Sequence, residues 1–141
     1  AILVYLAEKY GKFLPKDRTA RAKVNEWLMW QMGGFGPILG QAHHFLHFNP
    51  GKSDYAEDRS RSEVARLYGV LDRRLEGRDY ICDDYSIVDM ACWPWVSRYE
   101  WQQVNLTAYP NVRSWYQRLL ARDAVQKGYQ VPKHMGEIPQ G

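Results

Sequence analysis

The strongest local signal in the sequence is residues 86–95, which read SIVDMACWPW. Ser86, followed three residues later by Asp89, has the spacing of a capping box, with aspartate in place of the usual glutamate. In such a box the serine hydroxyl accepts a hydrogen bond from the aspartate amide, and the carboxylate accepts one from the serine amide. Tyr85 and Met90 flank the box at the positions of a hydrophobic staple. The spacing therefore predicts a helix that begins after Ser86 and enters a core.

Helical periodicity extends from this segment in both directions. Apolar side chains recur at steps of three and four residues between Ala20 and Leu46, which predicts a long helix from Asp17 to about Phe48. Glycines and prolines mark the limits of the other helices. We predict helices over residues 1–10, 17–48, 54–76, 86 to between 95 and 99, 110–119, and 123–128. No useful stretch alternates in the manner of a strand, so the predicted fold class is all-α.

Composition and charge restrict the classes of protein to consider. A chain of 141 residues and 16.6 kDa, with 45% hydrophobic and 25% charged residues, is typical of one globular domain. The net charge of +3 is too small and too mixed to favour a nucleic-acid partner. The longest apolar run, residues 1–7, is far below the roughly 20 residues that cross a bilayer, so we predict no membrane segment. Cys82 and Cys92 have neither metal-site nor disulfide-framework spacing, and with no signal peptide they indicate the cytoplasm.

The first residues resemble the end of a structure that precedes them. Residues 1–10 predict a helix closed by Gly11, but no capping side chain lies before Ala1. The first seven residues are apolar and need cover on several sides. We therefore interpret the chain as a fragment whose first helix is covered by a preceding domain. The alternative is a natural start from which the methionine has been removed.

A glycine-rich segment interrupts the long helix. Residues 30–37 read WQMGGFGP. Each glycine costs about 1 kcal/mol relative to alanine, and Pro37 removes an amide and collides with the carbonyl four residues earlier. A ligand or another backbone that approaches closely, flanked by Trp30 and Phe35, would explain this sequence. A simple loop between two shorter helices is the alternative. The segment lacks the GK[ST] ending of a phosphate loop.

Titratable side chains give weaker signals. His43, His44 and His47 lie at helical spacing, but no acidic residue nearby completes a zinc site, so we predict no metal and one histidine facing a cleft. Six arginines between residues 59 and 78 interleave with acidic residues, which predicts an ion-paired surface on which one arginine could bind a carboxylate. Cys92 is interpreted as a buried small hydrophobe. No local signature supports a nucleophilic Cys–His pair, although the sequence does not exclude one.

Four stretches together resemble a cytosolic glutathione transferase. SIVDMACWPW (86–95) and YPNVRSWYQRLLARDAVQKGY (109–129) look like its C-terminal half. LMWQMGGFGPILGQAHHF (28–45) resembles the bacterial nu-class glutathione transferases and disulfide-bond oxidoreductases, and the related fungal nitrogen-regulator branch. AILVYLAEKYGKFLP (1–15) is similar to the last helix and linker of the family's thioredoxin-like domain. The resemblance implies that residues 1–15 end a truncated thioredoxin-like domain, 16–129 form the C-terminal helical bundle, and 130–141 form an extended tail.

The resemblance also implies a function. In the family the thioredoxin-like domain binds glutathione, and the helical domain forms the second-substrate pocket and much of the dimer interface. The implied parent is a cytoplasmic, homodimeric glutathione-dependent disulfide reductase or transferase. Its co-substrate is glutathione, its second substrate is a small electrophile or disulfide, and it needs no metal. The fragment alone is expected to be inactive, with no catalytic residue of its own.

Five substrate-binding residues follow from the same resemblance. Trp30, Gly34, Phe35 and His44 fall on the helix that lines the family's cleft. Arg59 matches an arginine that in the nu class reaches toward bound glutathione.

A second hypothesis belongs to a different class. Helical domains of this superfamily also serve as non-catalytic protein–protein interaction or assembly modules, and the glycine-rich segment would then face a protein. A thioredoxin-like pattern ending in Glu-Ser directly upstream of Ala1 would favour the enzyme. The sequence leaves open the second substrate and the choice among reductase, transferase and peroxidase.

Overall fold

The computed structural model describes residues 1–133 and 136–141, and over those residues its regular secondary structure is entirely helical. The α-helices are α1 (Ile2–Tyr10), α2 (Arg18–Trp30), α3 (Gly36–Ala42), α4 (Asp54–Leu75), α5 (Ile87–Val96), α6 (Pro110–Leu120) and α7 (Asp123–Tyr129). Two π-helical segments, Gln31–Phe35 and His43–Phe48, adjoin α3, and two 3₁₀ turns, Tyr99–Gln102 and Leu106–Ala108, connect α5 to α6. The predicted all-α fold class is confirmed.

The start of α5 has the predicted capping box. The Ser86 hydroxyl accepts hydrogen bonds from the first-turn backbone, including the Val88 amide at 3.3 Å. The Asp89 carboxylate accepts a bond from the Ser86 amide at 2.9 Å. A third contact comes from the linker after α1, where the Phe13 carbonyl accepts a bond from the Ile87 amide at 3.1 Å. Amides at the start of α5 that have no partner within the helix are thereby satisfied.

Asp89 also connects α5 to the rest of the core. Its Oδ1 atom accepts bonds from the Ile81 amide at 3.0 Å and from Trp115 Nε1, on α6, at 2.9 Å. The side chain is completely buried, and this burial raises the pKa of Asp89 although its hydrogen bonds act in the opposite direction. One carboxylate therefore joins the start of α5, the connector before it, and α6.

The long helix predicted from residue 17 to residue 48 is continuous, but parts of it are π-helical. The Gly36 amide donates to the Gln31 carbonyl, five residues earlier, and the Asn49 amide donates to the His44 carbonyl in the same way. The first of these wide turns lies directly before Pro37, whose ring excludes the normal α-helical bond. The apolar stripe nevertheless stays in phase and is buried throughout. Its members are Val24, Leu28, Phe35, Leu39, Ala42 and Leu46.

The described part of the tail is extended but fastened to the bundle. The prediction was a tail, residues 130–141, that is extended or frayed. In residues 136–141 the side chain of Ile138 is buried, and the Tyr116 hydroxyl donates to a tail carbonyl at 2.7 Å. Residues 134 and 135 of the predicted tail lie outside the described residues.

The first helix carries most of the uncovered apolar surface near the start of the chain. Ala7 is the only buried residue of α1, whereas Ile2, Tyr5 and Tyr10 are each more than half exposed. The helix ends at Gly11, whose φ of 62° is the left-handed conformation that favours glycine. The cover that the sequence predicts for α1 is therefore not supplied by the described residues. None of the described helices combines the length and the hydropathy needed to cross a membrane.

Replacement of the buried Asp89 carboxylate should lower the stability of the folded protein. Asp89→Asn keeps the shape but places an NH₂ group where Oδ2 or Oδ1 now accepts hydrogen bonds, which leaves buried donors unpaired. We expect the free energy of unfolding to fall by about 2–4 kcal/mol in urea denaturation.

Asp83→Asn is the matched control. Asp83 is exposed and forms a surface ion pair with Arg78. The same substitution there should change stability by less than about 1 kcal/mol. Equal losses at the two positions would contradict the role assigned to Asp89.

Candidate functional site

The glycine-rich segment contains two kinds of glycine. A Cβ atom at Gly36 would lie 2.7 Å from Gln31 Nε2 and 3.2 Å from the Trp95 indole, so a larger residue would displace the Gln31 side chain and press on the indole. Gly33 and Gly34 have nothing within 4 Å of the same position. The close approach that the sequence indicates therefore exists at Gly36, and the approaching group is the indole of α5. Gly33 and Gly34 face open space, where a ligand or another chain has access to the backbone.

Trp30 and Phe35 form a stacked pair beside these glycines. Their ring centroids are 4.8 Å apart with an interplanar angle of 23°, and the Phe35 ring also contacts Tyr68 of α4 at 5.9 Å. Phe35 is completely buried, whereas Trp30 is half-buried. Trp30 therefore exposes part of its ring, where a ligand has access, and the buried Phe35 ring packs against it.

Arg59 lies on the exposed side of α4, at a shallow groove of about 220 Å³. Apolar side chains on the other wall of the groove include Ile38 and Phe45. Arg59 makes no hydrogen bond or ion pair with the described residues, whereas Arg61 and Arg66 on the same helix are paired with carboxylates. The nearest carboxylate in the groove is that of Glu63, whose pKa is lowered mainly by its hydrogen bond with Arg66 and in smaller part by the charge of Arg59. None of the other four predicted site residues lines this groove.

His44 is exposed and lies apart from the Arg59 groove. Its Nδ1 atom is 3.5 Å from Asn49 Nδ2, and its ring meets Phe45 edge to face. Of His43, His44 and His47, the one held between aromatic rings and a buried polar side chain is His43, which the sequence did not select. It stacks on Trp95 and contacts Trp101 edge to face, at centroid distances of 5.9 and 5.5 Å.

A polar network runs from His43 into the core. Gln102 Nε2 lies 2.9 Å from His43 Nε2, and the Gln102 Oε1 atom accepts a bond from the buried Tyr68 hydroxyl at 2.6 Å. Desolvation by burial, together with the charges of His47 and Arg98, lowers the pKa of His43 from 6.5 to about 4. His43 is therefore neutral at pH 7, and its Nε2 can accept a hydrogen bond from the Gln102 amide. No periodicity in the sequence selects Gln102, because this contact spans 59 residues.

Metal binding has no structural support in the part of the chain that the structure describes. Within residues 1–133 and 136–141, no three His, Cys, Asp or Glu side chains come together in a group that could hold a metal ion. Both cysteines are buried, and burial raises the pKa of the Cys82 and Cys92 thiols. Neither thiol is thus activated as a nucleophile.

The resemblance inferred from the motifs agrees with comparisons to known proteins. Residues 35–123 match the family described as "Glutathione S-transferase, C-terminal domain". The chain belongs to this family. Among curated relatives of this transferase family, the disulfide-bond oxidoreductase YfcG of Escherichia coli is 48% identical over 125 residues, which is 88% of this chain and 58% of that protein. The disulfide-bond oxidoreductase YghU of the same organism is 37% identical over 98% of this chain and 51% of its own length.

Solved structures of glutathione transferases share the fold. A glutathione transferase from Burkholderia graminis, with two glutathione molecules bound per subunit, has a TM-score of 0.87 and 39% identity over 96% of this chain and 59% of its own. A glutathione transferase from Pseudomonas putida, with one glutathione disulfide bound per subunit, has a TM-score of 0.86 and 42% identity over 93% and 60%. The chain spans between 51% and 60% of the length of these four relatives.

The two kinds of glycine should respond differently to alanine. Gly36→Ala forces a methyl group against buried Gln31 and Trp95, and we expect a loss of about 1–3 kcal/mol of unfolding free energy. Gly33→Ala adds a methyl group in open space and should raise stability by up to about 1 kcal/mol through helix propensity. Thermal denaturation of the two variants measures both effects. Equal shifts of the melting temperature in the same direction for both variants would contradict the distinction between a packed Gly36 and an open Gly33.

The His43 pKa predicts how stability depends on pH. A group whose pKa is lower in the folded state takes up its proton first in the unfolded state, so acidification favours unfolding. Stability should therefore fall as the pH decreases from 6.5 toward about 4. His43→Phe keeps an aromatic ring in place and should remove part of this decrease, measured as urea unfolding free energy between about pH 7 and about pH 5. His44→Gln, at an exposed site, should leave the His43 contribution in place. A His43→Phe curve parallel to that of the original chain would refute the assignment.

Proposed function

We propose that this chain is the helical part of a longer glutathione-dependent enzyme, a disulfide reductase or transferase, and that it forms the wall of the second-substrate pocket. The observation that carries the proposal is the 48% identity to a disulfide-bond oxidoreductase over 88% of this chain. With 125 of the 141 residues matched, the match extends across the glycine-rich segment and the capped helix. The family's common fold alone would not require the segment's open glycines, Gly33 and Gly34.

The ligands bound by the structural relatives favour disulfide chemistry. One relative holds two glutathione molecules per subunit, and another holds one glutathione disulfide. These are the reduced and oxidised forms of one couple, and they differ by two protons and two electrons. In the reaction we propose, a glutathione thiolate attacks a substrate sulfur and expels the other half as a thiolate. A second glutathione thiolate then attacks the mixed disulfide, which yields glutathione disulfide and the second substrate thiolate; each expelled thiolate takes up a proton from solvent.

The residues of this chain would bind and orient in this reaction. Arg59 would pair with a glutathione carboxylate, since its guanidinium is exposed in the groove and its neighbour there, Glu63, is already paired with Arg66. Trp30 would offer an apolar surface to the second substrate, held in place by Phe35. Gly34 would allow close approach to the backbone, and His44 would lie at the exposed edge of the helix.

Thiolate activation would come from outside this chain. The two cysteines are buried with raised pKa values, and the described residues offer no cluster suited to lowering the pKa of a bound thiol. The fragment alone is therefore proposed to be inactive. We also propose, from the family resemblance, that the parent protein is a homodimer in the cytoplasm and that this helical part contributes to the dimer interface.

Substitution of Arg59 tests the proposal in the complete parent protein. Arg59→Ala should raise the KM for glutathione about 10-fold, because a charge-assisted contact is lost, with a smaller effect on kcat. The measurement is reduction of bis(2-hydroxyethyl) disulfide at varied glutathione concentrations.

Arg66→Ala is the matched control on the same helix. Arg66 is exposed and already paired with Glu63, so its loss should leave the KM for glutathione unchanged. Equal kinetics for the Arg59 variant and the parent would remove Arg59 from the site. Disulfide reduction by the 141-residue chain alone would show that the groups essential for catalysis lie within it. Absence of disulfide reduction by the parent protein would favour the non-catalytic assembly module.

A further inference from the structure

One face of the long helix carries a continuous track that leads to Arg59. Trp30, Gly34, Ile38 and Phe45 follow one another at steps of four, four and seven residues, which places them on the same side of a helix. All four are half-buried. Ile38 and Phe45 also line the groove that contains Arg59, so the track runs from the Trp30 ring, over the open backbone at Gly34, into this groove. We call these five residues the Trp30–Arg59 track.

The backbone beside Gly34 offers a hydrogen-bond acceptor. In an α-helix the Met32 carbonyl would accept a bond from the Gly36 amide, but that amide donates to the Gln31 carbonyl. In the wider π-helical pattern the donor would come from residue 37, and Pro37 has no amide hydrogen. The Met32 carbonyl therefore has neither of these helical donors. Met32 and Pro37 are both exposed, so the amide of a ligand has access to this part of the backbone.

Adaptable apolar side chains lie beside this acceptor. Met29 and Met32 are 61% and 60% exposed, and an unbranched, polarizable thioether packs against side chains of different shapes. The Trp30 ring, stacked on Phe35, adds a flat apolar surface. A backbone acceptor between such side chains suits a peptide, because every peptide residue except proline carries an N–H donor while its side chains vary.

The track is longer than one glutathione molecule. Between Trp30 and Phe45 the helix rises about 20 Å, at about 1.5 Å per residue. An extended peptide spans about 3.3 Å per residue, so about six residues cover this distance. Glutathione is a tripeptide, and with a carboxylate at Arg59 it covers about half of the track. The remaining half, from Gly34 to Trp30, has room for about three more residues.

We propose that the second substrate is an S-glutathionylated peptide, the mixed disulfide of glutathione with a protein cysteine, bound along the Trp30–Arg59 track. The glutathione half lies in the groove with a carboxylate at Arg59. The peptide half passes over Gly34 toward Trp30, and one of its amides donates to the Met32 carbonyl. This inference rests on the proposed function, because it names the substrate class that the proposed second-substrate pocket takes.

The reaction on this substrate is a single thiol–disulfide exchange. The thiolate of the co-substrate glutathione attacks the glutathione sulfur of the mixed disulfide. A new sulfur–sulfur bond forms glutathione disulfide, and the bond between glutathione and the cysteine breaks. The electron pair of the broken bond leaves with the cysteine sulfur, which takes up a proton in place of the one that the attacking thiol lost. The cysteine is reduced and glutathione is oxidised, with no further reactant.

A length series of substrates tests the proposal in the complete parent protein. The probes are mixed disulfides of glutathione with end-blocked peptides of one, three and seven residues, each with a central cysteine so that either chain direction is covered. Production of glutathione disulfide is measured above the uncatalysed exchange of each probe. We expect kcat/KM to rise with length and to be at least about 10-fold higher for the longest probe than for the shortest, because the longer peptides add the amide and apolar contacts.

Gly34→Leu blocks the middle of the track. An added Cβ atom there meets nothing within 4 Å, so the side chain projects into the space proposed for the peptide. We expect the ratio of kcat/KM for the longest probe to that for the shortest to fall about 10-fold. Gly128→Leu on α7 is the matched control, since Gly128 is exposed and equally open but lies off the track, and the ratio should stay unchanged.

The outcomes separate this inference from the proposed function. Equal kcat/KM values for the three probes, together with reduction of bis(2-hydroxyethyl) disulfide, would overturn the peptide substrate and leave the disulfide reductase in place. An unchanged ratio in a folded Gly34→Leu variant would also overturn it, with folding verified by far-UV circular dichroism. The length series uses the unaltered parent protein and decides the question if that variant does not fold. Failure to reduce any of the disulfides would overturn both proposals.

Discussion

The packing of this protein depends on the buried carboxylate of Asp89. A carboxylate without water around it is stable only when donors surround it, and here backbone amides, a serine hydroxyl and an indole all point at its two oxygens. These donors belong to the connector at Ile81, to the start of α5 and to α6. Because the buried Asp89 carboxylate needs several hydrogen-bond donors, it holds the connector, the start of α5 and α6 in fixed positions relative to one another.

The orientation of α5 then determines the shape of the long helix opposite. Once α5 is held at its start, Trp95 near its end lies against Gly36, where a Cβ atom would be crowded, and within ordinary van der Waals distance of Gly40. The π-helical turn before Pro37 allows the chain to pass this indole while the buried stripe stays in phase. The glycine-rich segment, whose sequence lowers helix stability, is thus explained at Gly36 by close packing against Trp95. Gly33 and Gly34 have no such neighbour and remain open to an external contact.

The surfaces that remain open divide into two groups with different chemistry. Around the glycine-rich segment and α4 are an aromatic surface at Trp30 and an unpaired guanidinium at Arg59, which suit a small ligand with an anionic end. Along α5 is an apolar cavity whose lining includes Arg122, and the guanidinium of that residue lies over the Tyr85 ring and hydrogen-bonds to the Tyr85 side chain.

The sequence by itself determined the local structure and the family. The capping box, the positions of the helices and the exposed α1 all follow from short-range rules, because hydrogen bonds at helix ends and the 3.6-residue period act within a few residues. Which side chains lie together depends on the packing of the helices. It buried Phe35 beneath Trp30, separated His44 from the Arg59 groove, and brought His43 to Gln102 across 59 residues. Such contacts depend on how distant helices pack against each other, and no pattern within one helix contains that information.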